Sequence, residues 1–138
     1  MSHTILIADD SIFIRKALCN IFEREADFDV CGQAENGKEA IEKAKKLHPD
    51  LILLDLSMPV MNGLDAARVL KRVMPEVPVI MFSEYSGAST ENEACSAGVS
   101  ALVSKSEHIS VLLSKARRAL EHQQLWAFRP LSASSSRW

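Results

Sequence analysis

The chain has 138 residues, 47% of them apolar and 25% charged, which fits one globular domain burying about two-thirds of its unfolded surface. A formal net charge of −2 gives no electrostatic footprint for nucleic acid or an anionic membrane. No apolar run approaches the ~20 residues of a membrane span, and the opening MSHTILIADD lacks signal-peptide pattern.

Cys19, Cys31 and Cys95 are an odd set with no metal-ligand spacing, so they read as free thiols and a cytoplasmic location is expected. His3, His48, His108 and His122 share no spacing with each other or with the acids. The cluster Lys43, Lys45, Lys46 reads as a solvated helix face.

In chain order, Thr4 to Ala8 (TILIA) is a short apolar run ending in two acids, Asp9 and Asp10. The next segment places 14, 17, 18, 21 and 22 on one helical face, with Asp10 or Ser11 as N-cap. Phe28 to Ala34 alternates imperfectly and reads as an edge strand. Asn36-Gly37-Lys38-Glu39 has the form of a capping box before a helix with Ala40, Ile41, Ala44 and Leu47 inward, stopped by Pro49. Leu51 to Leu54 is an uninterrupted apolar run leading into Asp55, the habit of a strand buried on both faces of a parallel sheet.

After Asn62-Gly63, Leu64, Ala67, Leu70 and Met74 line one helical face. Val79 to Phe82 forms a fourth strand ending in Ser83. Thr90 and Glu93 suggest the cap of a short helix closed by Gly98. Ala101 to Val103 is the fifth strand, ending at Ser104-Lys105, and Ser106 is the candidate cap of a helix with Ile109, Leu112, Leu113, Ala116 and Leu120 inside. Five strands alternating with five helices call for an α/β fold whose parallel sheet is covered on both sides. The expected division is a folded domain over 1–123 and a tail or linker over 124–138, where Pro130 and SASSS break the pattern and Trp126, Phe128 and Trp138 stand out.

In a parallel sheet the strand ends share one edge, so Asp9, Asp10, Asp55, Ser83 and Lys105 become neighbours. Three crowded carboxylates raise each other's pKa unless a cation sits among them, and Mg2+ suits oxygen ligands. With the metal, Asp55 is a carboxylate nucleophile for a phosphoryl group, while Lys105 and the Ser83 hydroxyl can reach its oxygens.

Asp9-Asp10, Asp55 with Met58-Pro59 and Asn62-Gly63 behind it, Ser83 and Lys105, each at its strand end, resemble the receiver (CheY-like) domain of bacterial two-component response regulators, over roughly residues 4 to 122. The resemblance implies a flavodoxin-like, three-layer α/β/α fold of strand order 2-1-3-4-5. It implies Asp55 as phosphoacceptor and Asp9, Asp10, Asp55 and the Ser57 backbone carbonyl as Mg2+ ligands. Ser83 is then the switch hydroxyl and Lys105 the phosphate-binding cation. It further implies a phosphohistidine donor on a sensor histidine kinase or phosphotransfer protein. A shift of the face made by the fourth helix, fifth strand and fifth helix would control a downstream partner or an output domain. Such a chain is a regulatory phosphoacceptor, not an enzyme, with no direct nucleic-acid or membrane partner, and homodimerisation on phosphorylation stays open.

Three positions depart from the family's pattern. Leu102 stands where a Tyr or Phe is usual, so readout by an aromatic rotamer is not expected. Ser106 follows the lysine where proline is common, and a non-proline cis bond costs ~3 kcal/mol, so a trans peptide or a local rearrangement is expected. Glu84-Tyr85 follows Ser83, with Tyr85 placed to shield the phosphate or to stand in for the missing aromatic. Two other classes use related parts. A phosphatase-like hydrolase with Asp55 as nucleophile wants a second acid where Ser57 stands, and a flavin or nucleotide carrier wants glycines where Asp9-Asp10-Ser11 stands.

Overall fold

The computed structural model describes residues 2–84 and 87–126. The elements run β1 (His3–Ala8), α1 (Ile12–Glu23), β2 (Phe28–Ala34), α2 (Gly37–Leu47), β3 (Leu51–Asp55), α3 (Gly63–Val73), β4 (Val79–Ser83), α4 (Ala88–Ser96), β5 (Ala101–Ser104) and α5 (Ile109–Trp126). The five strands form one parallel sheet in the order β2-β1-β3-β4-β5.

The two-residue period of a strand explains both apolar layers. Leu6, Ile52, Leu54 and Met81 face one side, where Ala40, Ala44, Ala66, Ala67 and Leu70 of α2 and α3 cover them. Their sequence neighbours Ile5, Ile7, Leu51, Leu53, Ile80 and Phe82 face the other side, against Leu18 and Phe22 of α1 and Leu112, Ala116 and Leu120 of α5. Each such fully buried Leu or Ile contributes roughly 1.5–3 kcal/mol of transfer free energy. The central strands are therefore apolar throughout and turn polar only at their C-terminal ends.

The loop after β3 is held by a dipeptide used twice. Asn36 caps α2, accepting the Glu39 N–H at 2.8 Å, and Asn62 caps α3, accepting the Asp65 N–H at 2.9 Å. The glycine after each Asn lets backbone approach backbone. A Cβ at Gly37 would collide with the Met61 carbonyl, and one at Gly63 with the Asp55 carbonyl. Gly37 N–H instead donates to Met61 O at 2.9 Å, and Gly63 N–H to Leu56 O at 2.9 Å. The loop carrying Met58-Pro59 is thus clamped between two helix starts.

Several local expectations need correction. On α1 the inward face takes Cys19 and leaves Ala17 exposed, and Leu47 is exposed at the C-terminal end of α2. Helix α4 starts at Ala88 after Gly87, whose φ of 139° breaks the chain direction, so Thr90 lies inside the first turn and does not cap it. Helix α5 starts at Ile109, where His108 Nδ1 accepts the Ser110 N–H at 3.1 Å. Ser106 is engaged elsewhere, in the turn before it. The pairing of β1 with β2 skips Cys31, since Ile5 pairs with Val30 and Leu6 with Gly32. Helix α5 continues to Trp126, while Phe128, Pro130 and Trp138 lie outside the described residues. No helix among the described residues is long and apolar enough to cross a membrane.

Candidate functional site: an acidic cleft at the strand ends

Asp9 follows β1 directly, and its side chain is held by the turn into α1. Asp9 Oδ1 accepts the Ser11 N–H at 2.9 Å, while Ser11 Oγ accepts the Ile14 N–H at 3.3 Å and so caps the helix. The main chain of Asp9 is fixed as well. Its N–H donates to Ala34 O at 3.0 Å, and its carbonyl accepts from Arg15 Nη1 at 2.7 Å, while Arg15 Nε donates to Gln33 at 3.0 Å. Asp9 is buried, yet its Oδ2 has no hydrogen-bond partner. Lys105 Nζ lies 3.4 Å from that oxygen, an ion pair without an aligned hydrogen bond.

Asp55 ends β3 and is equally buried. Its Oδ1 stands 3.1 Å from Lys105 Nζ. Burial pushes the Asp55 pKa up, the Asp9 charge adds to it, and Lys105 and the Ser57 N–H only partly oppose them, leaving Asp55 at about 6. The lysine sees the same contest from the other side. Burial alone would lower Lys105, but its ion pairs with Asp55 and Asp9 leave it above the usual lysine value. The ring of Phe82 lies under its ammonium, 5.7 Å to the centroid.

Asp10 is the exposed member of the acid group, and oxygens of Asp9, Asp10 and Asp55 lie within 4.8 Å of one another. With Ser11, Ile14, Ser57, Ser83, Glu84 and Lys105 they line a cleft of about 280 Å³. Four carboxyl groups face one ammonium there. The donors are all oxygen, and one is a buried carboxylate oxygen without a hydrogen bond, so the set fits a hard divalent cation such as Mg2+.

Ser83 is buried at the end of β4, in register with Ser104 of β5, and Lys105 N–H donates to the Ser83 carbonyl at 2.7 Å. The structure therefore brings together Asp9, Asp10, Asp55, Ser57, Ser83 and Lys105. Leu102 does not reach the cleft. It is buried in the apolar layer that also holds Met81, Ala94 and Val99. Tyr85 lies outside the described residues. No cis peptide bond occurs among the described residues, so Lys105–Ser106 is trans. Sequence reasoning missed Arg15 and its grip on the Asp9 carbonyl. One turn into an amphipathic helix, an arginine carries no mark that separates it from a solvated one.

Comparisons with known proteins agree with this geometry. Residues 5–117 match the response regulator receiver domain family. The chain is 44% identical over 123 residues to the protein-glutamate methylesterase/protein-glutamine glutaminase 4 of Hahella chejuensis, covering 87% of this chain and 31% of that protein. It thus spans about a third of the length of the curated relatives it matches. The response regulator domain of Thermotoga maritima CheB superposes with a TM-score of 0.82 at 33% identity, covering 88% of this chain and 98% of that one. A chain of the CheX–CheY–BeF3–Mg2+ complex from Borrelia burgdorferi superposes with a TM-score of 0.79 at 27% identity, covering 84% of this chain and 87% of that one. With its strand order, its acid-lined edge and a match over most of its length, the chain belongs to the response regulator receiver domain family, the phosphorylation-dependent receivers of two-component signalling.

Proposed function

We propose that Asp55 is the phosphoacceptor and that the donor is a phosphohistidine on a sensor kinase or phosphotransfer protein. The observation that carries this reading is the buried Asp55 carboxylate at the cleft floor, 3.1 Å from the Lys105 ammonium and beside Asp9. An Asp55 oxygen attacks phosphorus, the bond from phosphorus to the donor imidazole breaks, and its electron pair stays on the ring nitrogen, which takes up a proton. Asp55 must be ionised to attack, and its pKa of about 6 leaves it mostly so at neutral pH.

Asp9, Asp10, Asp55 and the Ser57 backbone carbonyl are the residues to hold Mg2+, which supplies charge neutralisation for the phosphoryl oxygens. The similar Borrelia protein carries Mg2+ in its complex. In this reading Lys105 moves its ammonium from the carboxylate pair to a phosphoryl oxygen, and the Ser83 hydroxyl bonds another. The Lys105 N–H, bonded to the Ser83 carbonyl, keeps the backbones of the two residues side by side. The new dianion shifts the Ser83 loop and the face of α4, β5 and α5.

Intact-mass analysis after incubation with acetyl phosphate and Mg2+ tests the chemistry. Wild type gains one phosphate and Asp55→Asn gains none. An adduct of equal size on Asp55→Asn would place the chemistry elsewhere.

The similar proteins are protein-glutamate methylesterase/protein-glutamine glutaminases. Control of a glutamyl methyl ester or glutamine amide hydrolase, fused or separate, is the corresponding proposal for this chain. The rate of ester hydrolysis by such a catalytic domain, with and without the phosphorylated chain, is the measurement. An unchanged rate removes that output.

A further inference from the structure

Ser106 stands where proline commonly follows the lysine of receiver domains, and the structure shows what takes its place. Residues 104–107 form a tight turn closed by the Glu107 N–H, which donates to Ser104 O at 3.1 Å. Side chains then bind the turn to itself. Glu107 Oε1 accepts the Ser104 N–H at 3.0 Å. The Ser104 and Ser106 hydroxyl oxygens are 2.8 Å apart, and Ser106 N–H donates to Ser104 Oγ at 3.2 Å. Lys105 is the second residue of this turn. Its own N–H reaches back to Ser83 O at 2.7 Å, and its ammonium reaches forward to Asp55 and Asp9.

A lysine places its charge at the end of a flexible four-carbon stem, so the position of its backbone decides where the ammonium can go. Proline would fix that backbone by its ring. Here the turn is fixed by hydrogen bonds, and Glu107 contributes to both ends of it, through its N–H and through its carboxylate. We propose that Glu107 is a positioning residue for Lys105, holding the turn that aims the ammonium at Asp55, with Ser104 as its partner and Ser106 bonded to Ser104 in turn. The assignment rests on the phosphoacceptor reading of Asp55. Glu107 does not line the cleft, so it acts through Lys105 alone.

Hydrogen bonds in a surface turn could instead serve only the stability of that turn, and a double-mutant cycle separates the two roles. The rate of phosphate incorporation from acetyl phosphate with Mg2+ is measured by intact mass for wild type, Glu107→Ala, Glu107→Gln, Lys105→Ala and the double variant Lys105→Ala/Glu107→Ala. Loss of the carboxylate slows wild type about 10-fold, short of the ~100-fold that a 1 Å misplacement of a reacting group can cost. Glu107→Gln, which keeps an acceptor oxygen for the Ser104 N–H, stays within about twofold of wild type. On the Lys105→Ala background, Glu107→Ala has no further effect.

Equal slowing on both backgrounds, no slowing on either, or a Gln variant as slow as the Ala variant overturns the assignment. A wild type that takes up no phosphate overturns the phosphoacceptor reading itself, and this one with it.

Discussion

The Lys105 ammonium lies 3.1 Å from Asp55 Oδ1, yet that single cation is shared with Asp9, 3.4 Å away. One positive charge between two buried carboxylates cannot satisfy both. Burial first, and then the Asp9 charge, hold Asp55 at about pKa 6 against the pull of Lys105, and Asp9 Oδ2 is left without a hydrogen bond.

Asp55 should make stability fall as pH rises. An acid whose pKa is raised from 3.8 to about 6 on folding binds its proton more tightly folded than unfolded. Its contribution is therefore present below about pH 4 and lost as pH climbs through 6. Without divalent cations, Asp55→Asn is expected to be more stable than wild type by on the order of 2 kcal/mol at pH 7.5, with the gap closing towards pH 4.5. Urea unfolding of both proteins across that range measures it. A gap that does not vary with pH would show that the burial of a charged Asp55 is not its source.

Magnesium should relieve the same conflict. A cation that binds only the folded chain stabilises it by about 2.7 kcal/mol at a hundred times its dissociation constant, roughly 10 °C in midpoint for a domain of this size. The midpoint should rise steadily with the logarithm of Mg2+ concentration, and this dependence should vanish in Asp9→Asn. If Asp9→Asn responds to Mg2+ as wild type does, the Oδ2 that lacks a hydrogen bond is not a ligand.

Gly63→Ala tests the clamp on the β3–α3 loop. The new methyl meets the Asp55 carbonyl, which is backbone at the end of a central strand and cannot swing aside. A loss of about 2–3 kcal/mol is expected, together with a weaker response to Mg2+, because Asp55 itself is displaced. Denaturant midpoints with and without Mg2+ supply both readings. Loss of stability with an unchanged response to Mg2+ would uncouple the clamp from the site.

Val60 offers a gain instead. It sits at φ 67°, a left-handed conformation that a β-branched residue adopts at a cost, and the residue is 77% exposed with little packing to lose. Val60→Gly or Val60→Asn should stabilise the fold by about 1 kcal/mol. Thermal unfolding decides, and a destabilised Asn variant would mean that the valine methyls matter more than the backbone.

How much could be read beforehand followed from the type of signal. The runs at Ile5–Ala8, Leu51–Leu54 and Val79–Phe82 are buried on both faces, so apolar continuity marked them as strands and their terminal polar residues marked the site edge. Helix starts were less legible. Thr90 with Glu93 has the form of a capping pair, but Gly87 turns the chain earlier, and Ser106 was claimed by Ser104 before it could cap α5. Arg15 and Glu107 were invisible for another reason. Both are charged residues on surface elements, and only the fold brings them to the Asp9 carbonyl and the Ser104 N–H. The conflict over Lys105 likewise needs three strands at once.

The paired Asn-Gly steps bear on how long the protein lasts as a molecule. Asn-Gly is the dipeptide most prone to deamidation, in which the glycine nitrogen attacks the asparagine side-chain carbonyl carbon, the bond to the side-chain nitrogen breaks, ammonia leaves and a succinimide forms. Here both nitrogens are occupied, by Met61 O and Leu56 O, and both side-chain oxygens are turned to helix N–H groups. Ring closure would require breaking a helix cap and a loop bond together. The arrangement that seats the β3–α3 loop also slows its chemical ageing, and each excursion to the unfolded state removes that protection.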